Sequence, residues 1–328
     1  MPAALNEIWV IVEQREGSVQ SASREIVSAA SRFADEVSVF VWGAGAQDCS
    51  ADLGSLGATR VFLIEDDATR LTPRQIAEVI GNQQKSLGAP AAVLAPMSYD
   101  GRDISAHLSV MVDRPVISNV VGLELVDGAL HSAHEILGGT RIARARVTDG
   151  GWGIFLIRAK SFAAAEGEAR TPDVIRLAPP PLGDADRIEV LEHHVEERAG
   201  PRLDEAAIVV SGGRGLGDPD RYRLIEELAQ LLGGAPAASR AIVDAGWVPY
   251  GYQVGQTGKT VKPEVYLAFG ISGAMQHLVG MKGAKHIVAV NKDASAPIFR
   301  LVDLGIVGDV NVILPELIES VRRELTNG

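Results

Sequence analysis

The residues best suited to chemistry gather between Ser239 and Asp309, where small and polar side chains follow predicted strands. Two apolar runs, at 265–269 and 287–290, each open into glycine, serine, asparagine or charged residues. Ligands of parallel α/β sheets bind where the strands end, because the loops converge there. The stretch therefore predicts the ligand-binding site of the chain.

Two nucleotide-binding patterns come close, and neither is complete. The sequence at 258–260 matches the end of a P-loop, but that motif requires a glycine where Gln253 stands. The glycine-rich turn at 211–217 misses the G-x-G-x-x-G spacing, because Asp218 occupies the last position. It is therefore not a dinucleotide fingerprint, although Arg214 within it can pair with a phosphate through two parallel hydrogen bonds.

Other candidate groups are isolated along the chain. His131 and His134 have no acidic ligands arranged around them, so we expect no metal site there. Cys49 is the only cysteine, which excludes an intrachain disulfide and a thiolate metal cluster, and we interpret it as a passive residue. The sequence shows neither a pair of carboxylates nor a nucleophile beside a base, so it does not indicate that the protein transforms a substrate.

The carboxyl-terminal half contains seven linked blocks, at 211–216, 238–246, 253–260, 270–277, 287–293, 296–299 and 305–309. Taken together, these blocks resemble the α subunit of electron transfer flavoproteins. The resemblance covers nearly all of 207–325, and its specificity comes from the order and spacing of the blocks. The amino-terminal half resembles the family more loosely, mainly through its pattern of strands and helices and the segment 95–104.

The resemblance implies that the carboxyl-terminal domain carries FAD. Three residues match positions that tune the flavin: Arg240 beside the isoalloxazine ring, Thr257 near N5 and His277 near O2. A permanent cation at Arg240 would favour reduced and anionic flavin, and His277 would act likewise as an N–H donor or an imidazolium. Without the resemblance, a surface arginine and a helix-capping histidine would be the simpler interpretations.

The resemblance also implies contacts with the rest of the cofactor. The turn at 254–257 would line the ring, with Gly255 allowing close approach and an unusual dihedral. The turn at 272–277 would direct amides at the pyrophosphate, and Asp309 would take ribose hydroxyls. An ordinary loop and a tight structural turn are the alternatives for the two turns. The predicted cofactor-binding set is Arg214, Ser239, Arg240, Val254, Gly255, Gln256, Thr257, Ser272, Gly273, Ala274, Met275, Gln276, His277, Asn291, Asp309 and Val310.

One loop departs from the family pattern. Trp247, Tyr250 and Tyr252 make it more aromatic than the resemblance leads us to expect. We expect these side chains to reshape one edge of the flavin pocket.

Hydrophobic periodicity predicts the elements that position these residues. Strands are predicted at 7–13, 37–41, 61–64 and 92–95, and helices at 21–33, 73–87 and 104–112. Residues 100–103 are interpreted as a capped turn before the last of these helices. Asp218 with Pro219 should begin a further helix, and Pro315 should begin the final one. Strands that alternate with helices predict a mostly parallel sheet with right-handed crossovers.

The length of 328 residues favours two domains. We predict an α/β fold in which each domain is a mostly parallel sheet flanked by helices. Residues 1–200 form an amino-terminal domain with a linker, and 201–328 form a Rossmann-like FAD-binding domain. The linker would contain a strand-like piece at 187–195, in which His193 and His194 are interpreted as solvated.

The charge and composition of the chain indicate which classes of partner it can bind. The net charge of −11 and the pI near 5.2 argue against nucleic acid and suit a basic protein surface. No apolar run approaches the length of a membrane span, and no basic segment followed by a long apolar one opens the chain. We therefore expect no membrane insertion and a cytoplasmic location.

The resemblance implies an electron carrier rather than a substrate-transforming enzyme. Family members form a heterodimer with an electron transfer flavoprotein β subunit. Their flavin takes electrons from dehydrogenases, for example the acyl-CoA dehydrogenases of fatty acid β-oxidation, and passes them to a quinone oxidoreductase or another acceptor. Two alternatives are a nicotinamide-dependent dehydrogenase, which the missing G-x-G-x-x-G disfavours, and a redox-silent nucleotide-binding scaffold, which a yellow purified protein would exclude.

Overall fold

The computed structural model describes residues 5–65, 71–148, 151–165, 167, 170–180 and 200–327. The contacts between Cα atoms divide the chain into two compact units, Met1–His193 and His194–Gly328. The strand-like piece predicted at 187–195, with its two histidines, lies outside the described residues.

Parallel strands form the centre of the first unit. Its strands are β1 (Leu5–Ile11), β2 (Gln14–Arg15), β3 (Ser18–Val19), β4 (Ala34–Trp42), β5 (Arg60–Ile64), β6 (Ala92–Pro96), β7 (Val116–Val120), β8 (Gly122–Val126), β9 (Ala129–Ile136), β10 (Arg141–Arg146), β11 (Ile154–Ile157) and β12 (Asp173–Leu177). Its helices are α1 (Ser21–Ala30), α2 (Ser50–Ser55), α3 (Pro73–Leu87) and α4 (Tyr99–Val112). The four predicted strands form β1, β4, β5 and β6.

The predicted parallel sheet is confirmed. Seven strands pair in the order β12-β5-β4-β1-β6-β11-β7, and each neighbouring pair is parallel. Strands β6 and β11 are buried along their whole length, because a parallel sheet is covered on both faces. Strands β8, β9 and β10 form a separate antiparallel sheet that the strand and helix predictions do not include.

Two helix starts show how capping sets the element bounds. The Thr72 side chain caps α3 and forms a reciprocal pair with Gln75, as the threonine before Pro73 predicts. The interpretation of 100–103 as a turn is wrong, because α4 begins at Tyr99. Ser98 is its N-cap and accepts a hydrogen bond from the Gly101 amide at 2.9 Å.

A five-stranded parallel sheet forms the second unit. Its strands are β13 (Ile208–Gly212), β14 (Ala235–Ala238), β15 (Val265–Phe269), β16 (His286–Asn291) and β17 (Leu304–Val307). Its helices are α5 (Arg223–Leu231), α6 (Arg240–Val243), α7 (Met275–Met281) and α8 (Val310–Asn327). The order β14-β13-β15-β16-β17 places the switch point of the sheet between β13 and β15. Doubly wound sheets bind ligands in the crevice that this reversal leaves.

The final helix begins earlier than predicted. Pro315 lies inside α8 rather than at its start. The helix starts at Val310, where Asp309 Oδ1 accepts a hydrogen bond from the Asn311 amide at 2.8 Å. Val310, Leu314 and Ile318 are all buried, and this spacing places them on one face of the helix. Their packing holds the turn that precedes the proline.

The α5 segment differs in a similar way. The chain after Asp218 first forms a 3₁₀ turn, Pro219–Tyr222, and the α-helix follows it. Asp218 caps the turn by accepting a hydrogen bond from the Asp220 amide at 2.9 Å.

The isolated groups of the first unit have structural surroundings. His134 Nε2 lies 2.8 Å from Ser132 Oγ, and its Nδ1 lies 3.2 Å from the Asn119 carbonyl oxygen. Cys49 is buried, and desolvation raises the pKa of its thiol to about 11, with Asp52 and Asp48 adding to the rise. A buried thiol with a raised pKa is a poor nucleophile. None of the described helices is long and apolar enough to cross a membrane.

Candidate functional site

A cavity of about 850 Å³ opens at the carboxyl ends of the strands in the second unit. Its lining includes Arg214 after β13, Ser239 after β14, Gly270 after β15 and Asn291 at the end of β16. The cavity therefore occupies the switch point of this sheet, and most of its lining belongs to the stretch that the sequence indicates. Its volume suits an organic cofactor.

Most of the predicted cofactor-binding residues line this cavity. They are Arg214, Ser239, Arg240, Val254, Gly255, Gln256, Thr257, Ser272, Ala274, Gln276, His277 and Asn291. The other four predicted residues, Gly273, Met275, Asp309 and Val310, lie outside the lining. Gly273 packs against the Ile298 backbone, and Met275 is half exposed.

Glycines let two loops touch beneath the cavity. Gly270 has φ +66°, and a Cβ atom there would lie 2.7 Å from the Gly215 Cα. The Gly215 amide donates a hydrogen bond to the Gly270 carbonyl oxygen at 2.9 Å. Gly255 has φ +144°, which is the unusual dihedral predicted for it. These contacts fix the loop backbones around the cavity.

The Thr257 hydroxyl is oriented by a buried glutamine. Gln253 is buried, and its Nε2 donates a hydrogen bond to Thr257 Oγ1 at 2.9 Å. The loop is held against α7, because the Gln256 amide donates to the Gln276 carbonyl oxygen at 2.7 Å. A hydroxyl that accepts one hydrogen bond still has its own proton to donate. Thr257 can therefore offer that proton to a ligand.

The charges of the lining favour an anionic ligand. Arg214, Arg240 and Lys292 are cationic, and Asp244 and Asp293 are anionic. Arg240 Nε lies 3.0 Å from Asp244 Oδ2, with side chains that are 63% and 60% exposed. An exposed pair of this kind contributes little to stability, so the guanidinium can turn toward a ligand at small cost.

The loops beside these charges are tied to each other. Arg214 donates a hydrogen bond to the Ala241 carbonyl oxygen at 3.4 Å. Asn291 Nδ2 donates to the Ile271 carbonyl oxygen at 2.9 Å, and its Oδ1 accepts from the Asp293 amide at 3.0 Å. Asn291 therefore joins the ends of β15 and β16 at the cavity.

His277 is neutral in the structure. Its side chain is only 7% exposed, and desolvation lowers its pKa to about 4. Burial therefore favours the N–H donor over the imidazolium at neutral pH, because desolvation disfavours the charged form. Nε2 lies 3.0 Å from the Tyr266 hydroxyl, whereas Nδ1 is buried and makes no hydrogen bond of standard geometry to a described residue, although the Val254 backbone partly offsets the lowering of the pKa.

The cavity fits the cofactor that the resemblance implies. A buried polar atom without a partner costs roughly 1–3 kcal/mol, and the acceptor edge of a flavin would satisfy Nδ1 of His277. The cationic excess suits a pyrophosphate, with Arg214 and Lys292 available to pair with it. The Thr257 hydroxyl adds a donor for a ring nitrogen.

Several lining residues escape the sequence analysis. Asp244, Gln253, Lys292 and Asp293 belong to the blocks of the resemblance without a predicted role. The spacing of Asp244 from Arg240, four residues on a helix, is the signal that could have found it. Tyr266 lies in the apolar run at 265–269. A tyrosine that is buried in such a run needs a hydrogen-bond partner for its hydroxyl, and this need is the signal that could have found it.

The aromatic loop lies beside the cavity and does not line it. Tyr252 packs edge-on against Tyr222, with ring centroids 6.2 Å apart. The Tyr250 hydroxyl donates a hydrogen bond to the Thr257 carbonyl oxygen. Neither tyrosine is in the lining, nor is Trp247. The aromatic loop can therefore affect the pocket by holding the Thr257 loop.

Burial of His277 predicts a pH dependence of stability. Its folded pKa of about 4 lies below the ordinary 6.5, so between these values the unfolded chain binds a proton that the folded chain does not. Stability is full above pH 6.5 and is lost as the pH falls toward 4. From pH 7 to pH 5, native protein should lose about 2 kcal/mol more unfolding free energy than His277→Gln. Urea titrations measure this, and equal losses would contradict the buried neutral assignment.

Comparisons with known proteins cover both units. A family model described as "Electron transfer flavoprotein domain" matches residues 8–182, and one described as "Electron transfer flavoprotein FAD-binding domain" matches residues 202–282. The protein called electron transfer flavoprotein subunit alpha in Mycobacterium leprae is 38% identical over 320 residues, which are 96% of this chain and 98% of the relative. The protein of that name in Thermoanaerobacterium thermosaccharolyticum is 36% identical over 325 residues, covering 97% and 98%. The one in Paracoccus denitrificans is 36% identical over 313 residues, covering 94% and 98%.

Proposed function

The chain belongs to the electron transfer flavoprotein alpha-subunit family, and we propose that it pairs with a β subunit to carry electrons between a dehydrogenase and a redox acceptor. Its cofactor is FAD. A flavin accepts and releases electrons singly or in pairs, and this is the chemistry it supplies here. The observation that carries the proposal is the cavity at the switch point, with its buried donor and cationic excess.

Five lining residues have a task in this proposal. Arg214 and Lys292 pair with the phosphates, while Thr257 and His277 donate hydrogen bonds to the ring. Arg240 places a permanent positive charge beside the ring. None of these tasks removes a proton from a substrate, which agrees with an electron carrier rather than a substrate-transforming enzyme.

Pairing with a β subunit is supported by the exposure of the site. Gln256, Thr257 and Gln276 line the cavity and are exposed in the isolated chain. A flavin bound beside them would meet solvent unless a second protein covered it. Expressed alone, the chain should lose FAD or aggregate, whereas co-expression with a β-type chain should give a stable yellow heterodimer. A monodisperse monomer that retains its full FAD content would contradict the pairing.

The donor and the acceptor are a further part of the proposal. We place acyl-CoA dehydrogenases among the donors and a quinone oxidoreductase or another redox protein as the acceptor, with a cytoplasmic location. The co-purified pair should be reduced by an acyl-CoA dehydrogenase and its acyl-CoA under anaerobic conditions. NADH alone should not replace that donor, and reduction by NADH but not by the dehydrogenase would overturn this assignment.

A variant of Asp309 tests how the chain binds the adenosine end of FAD. If its carboxylate takes the ribose hydroxyls, Asp309→Ala should weaken FAD retention by about tenfold, the loss of one hydrogen bond to a charged group, and leave the flavin potential almost unchanged. The reason is its distance from the ring in the proposed binding mode. Equilibrium dialysis and potentiometry measure the two quantities.

The control for Asp309→Ala is Asp218→Ala. Both aspartates cap a helical segment through Oδ1, at 2.8 Å and 2.9 Å from the capped amide, and both lie outside the lining. The Asp218 variant therefore reports the loss of a cap alone. An equal FAD dissociation constant in native protein and Asp309→Ala would refute the ribose contact.

A further inference from the structure

A buried tyrosine contacts the histidine of the cavity from behind. Tyr266 is the second residue of β15 and is fully buried. Its hydroxyl oxygen is 3.0 Å from His277 Nε2, and the two rings meet edge-on with centroids 6.2 Å apart. Tyr266 is absent from the cavity lining, so it can act on a ligand only through His277.

The surroundings of Tyr266 indicate which of the two groups, the phenol or the imidazole, donates the hydrogen bond. Burial raises the pKa of the Tyr266 phenol, so its oxygen keeps a proton at neutral pH. That proton needs an acceptor, because an unsatisfied buried donor is costly. Nε2 of His277 is within hydrogen-bond distance, whereas Ser211 Oγ on the neighbouring strand partly offsets the rise of the phenol pKa but makes no hydrogen bond of standard geometry to a described residue. The phenol therefore donates to Nε2.

The position of the imidazole proton follows from this direction. A neutral imidazole has one N–H, and a nitrogen that accepts a hydrogen bond cannot hold it. The proton must then be on Nδ1, which is buried and makes no hydrogen bond of standard geometry to a described residue. The Val254 backbone partly offsets the desolvation that lowers the pKa of His277, but it does not form such a bond, so the Nδ1 proton can be donated to a ligand.

We propose that Tyr266 is a positioning residue, whose hydroxyl holds His277 as the Nδ1–H tautomer and so presents an N–H donor to the cofactor. The opposite arrangement would have Nε2–H donate to the phenol oxygen and the phenol donate to Ser211. It would leave Nδ1 as an acceptor, which repels the acceptor edge of a flavin. The identity of the ligand, and the repulsion that disfavours the opposite arrangement, rest on the proposed function, whereas the contact between Tyr266 and His277 does not.

The test reads the tautomer directly. The co-purified heterodimer is labelled with ¹⁵N-histidine, and His277→Gln assigns the His277 signals by their loss. Native protein should show a protonated Nδ1 and an unprotonated Nε2 at pH 7. An Nε2–H signal in native protein would overturn the proposal without any variant.

Tyr266→Phe then tests the role of the hydroxyl. The ratio of the Nδ1–H to the Nε2–H form should fall by about tenfold, and the FAD dissociation constant should rise up to about tenfold, as expected for one lost hydrogen bond. Tyr222→Phe is the matched control, because it removes another buried hydroxyl that donates to the Ala237 carbonyl oxygen at 3.0 Å and lies outside the cavity. It should change neither quantity.

The outcomes separate this inference from the proposed function. An unchanged tautomer ratio in Tyr266→Phe would overturn the positioning role, because a purely structural tyrosine would leave the His277 signals as they are. Protein without flavin colour would overturn the proposed function, and its His277 signals would still report the tautomer.

Discussion

Replacing Arg240 by alanine should lower the first one-electron reduction potential of the bound flavin by roughly 40–130 mV. Unit charges at ~4 Å and an effective dielectric constant of ~20 attract by about 4 kcal/mol. Solvent, charge spread over the ring and the neighbouring Asp244 should leave roughly 1–3 kcal/mol. A tenfold change in a one-electron equilibrium constant is about 59 mV, which converts that energy to the expected range.

Two further variants make the Arg240 experiment sharper. Arg240→Lys should recover only part of the potential, because an ammonium cannot stack on the ring. Asp244→Asn should raise the potential, since it removes the carboxylate 3.0 Å from Arg240 Nε. Potentiometric titration of the FAD-loaded heterodimers compares them. A potential of Arg240→Ala within error of the native value would show that the guanidinium is not at the flavin.

Gly270→Ala should destabilise the second unit by about 2–5 kcal/mol and reduce its FAD content. The residue has φ +66°, where an alanine side chain costs roughly 1–2 kcal/mol. Its Cβ would also lie 2.7 Å from the Gly215 Cα and 2.8 Å from the Gly215 carbonyl carbon, so one loop must move. Overpacking of this kind adds about 1–3 kcal/mol. The cavity loses its shape with the loop.

Gly233→Ala separates the two costs. Gly233 has φ +63°, nearly the same as Gly270, and no atom lies within 4 Å of an added Cβ. It should therefore lose only the roughly 1–2 kcal/mol of backbone strain and keep its FAD. Urea titrations and the flavin absorbance of the heterodimers give both readouts. Equal losses of stability in the two variants would contradict the close approach of the two loops.

The sequence predicts the fold well where local chemistry and periodicity agree. Thr72, Pro73 and Gly88 bound α3 as expected, because capping and backbone preferences are local properties. Pro315 misled the prediction of α8, since the buried stripe from Val310 onward outweighs the cost of an internal proline. Tertiary packing decides where such a helix begins, and a local sequence pattern carries no information about that packing.

The candidate site is predictable in its place and less so in its contacts. Polar residues after apolar runs indicate the strand ends, and the structure brings most of them to one cavity. Tyr266, the partner of His277, approaches from β15 and is hidden in an apolar run. Gln253, the partner of Thr257, lies four residues before it in a loop, where hydrophobic periodicity does not predict side-chain hydrogen bonds.

The most direct test is an anaerobic reductive titration of the chain co-purified with a β-type partner, followed by its visible spectrum. We expect a yellow heterodimer with FAD in the second unit, bleached in steps by a chemical reductant and recoloured by a one-electron acceptor. The loss of FAD retention in Gly270→Ala assigns that flavin to this chain. A colourless heterodimer, or a yellow one in which this chain's cavity can be disrupted without loss of flavin, would contradict the central claim.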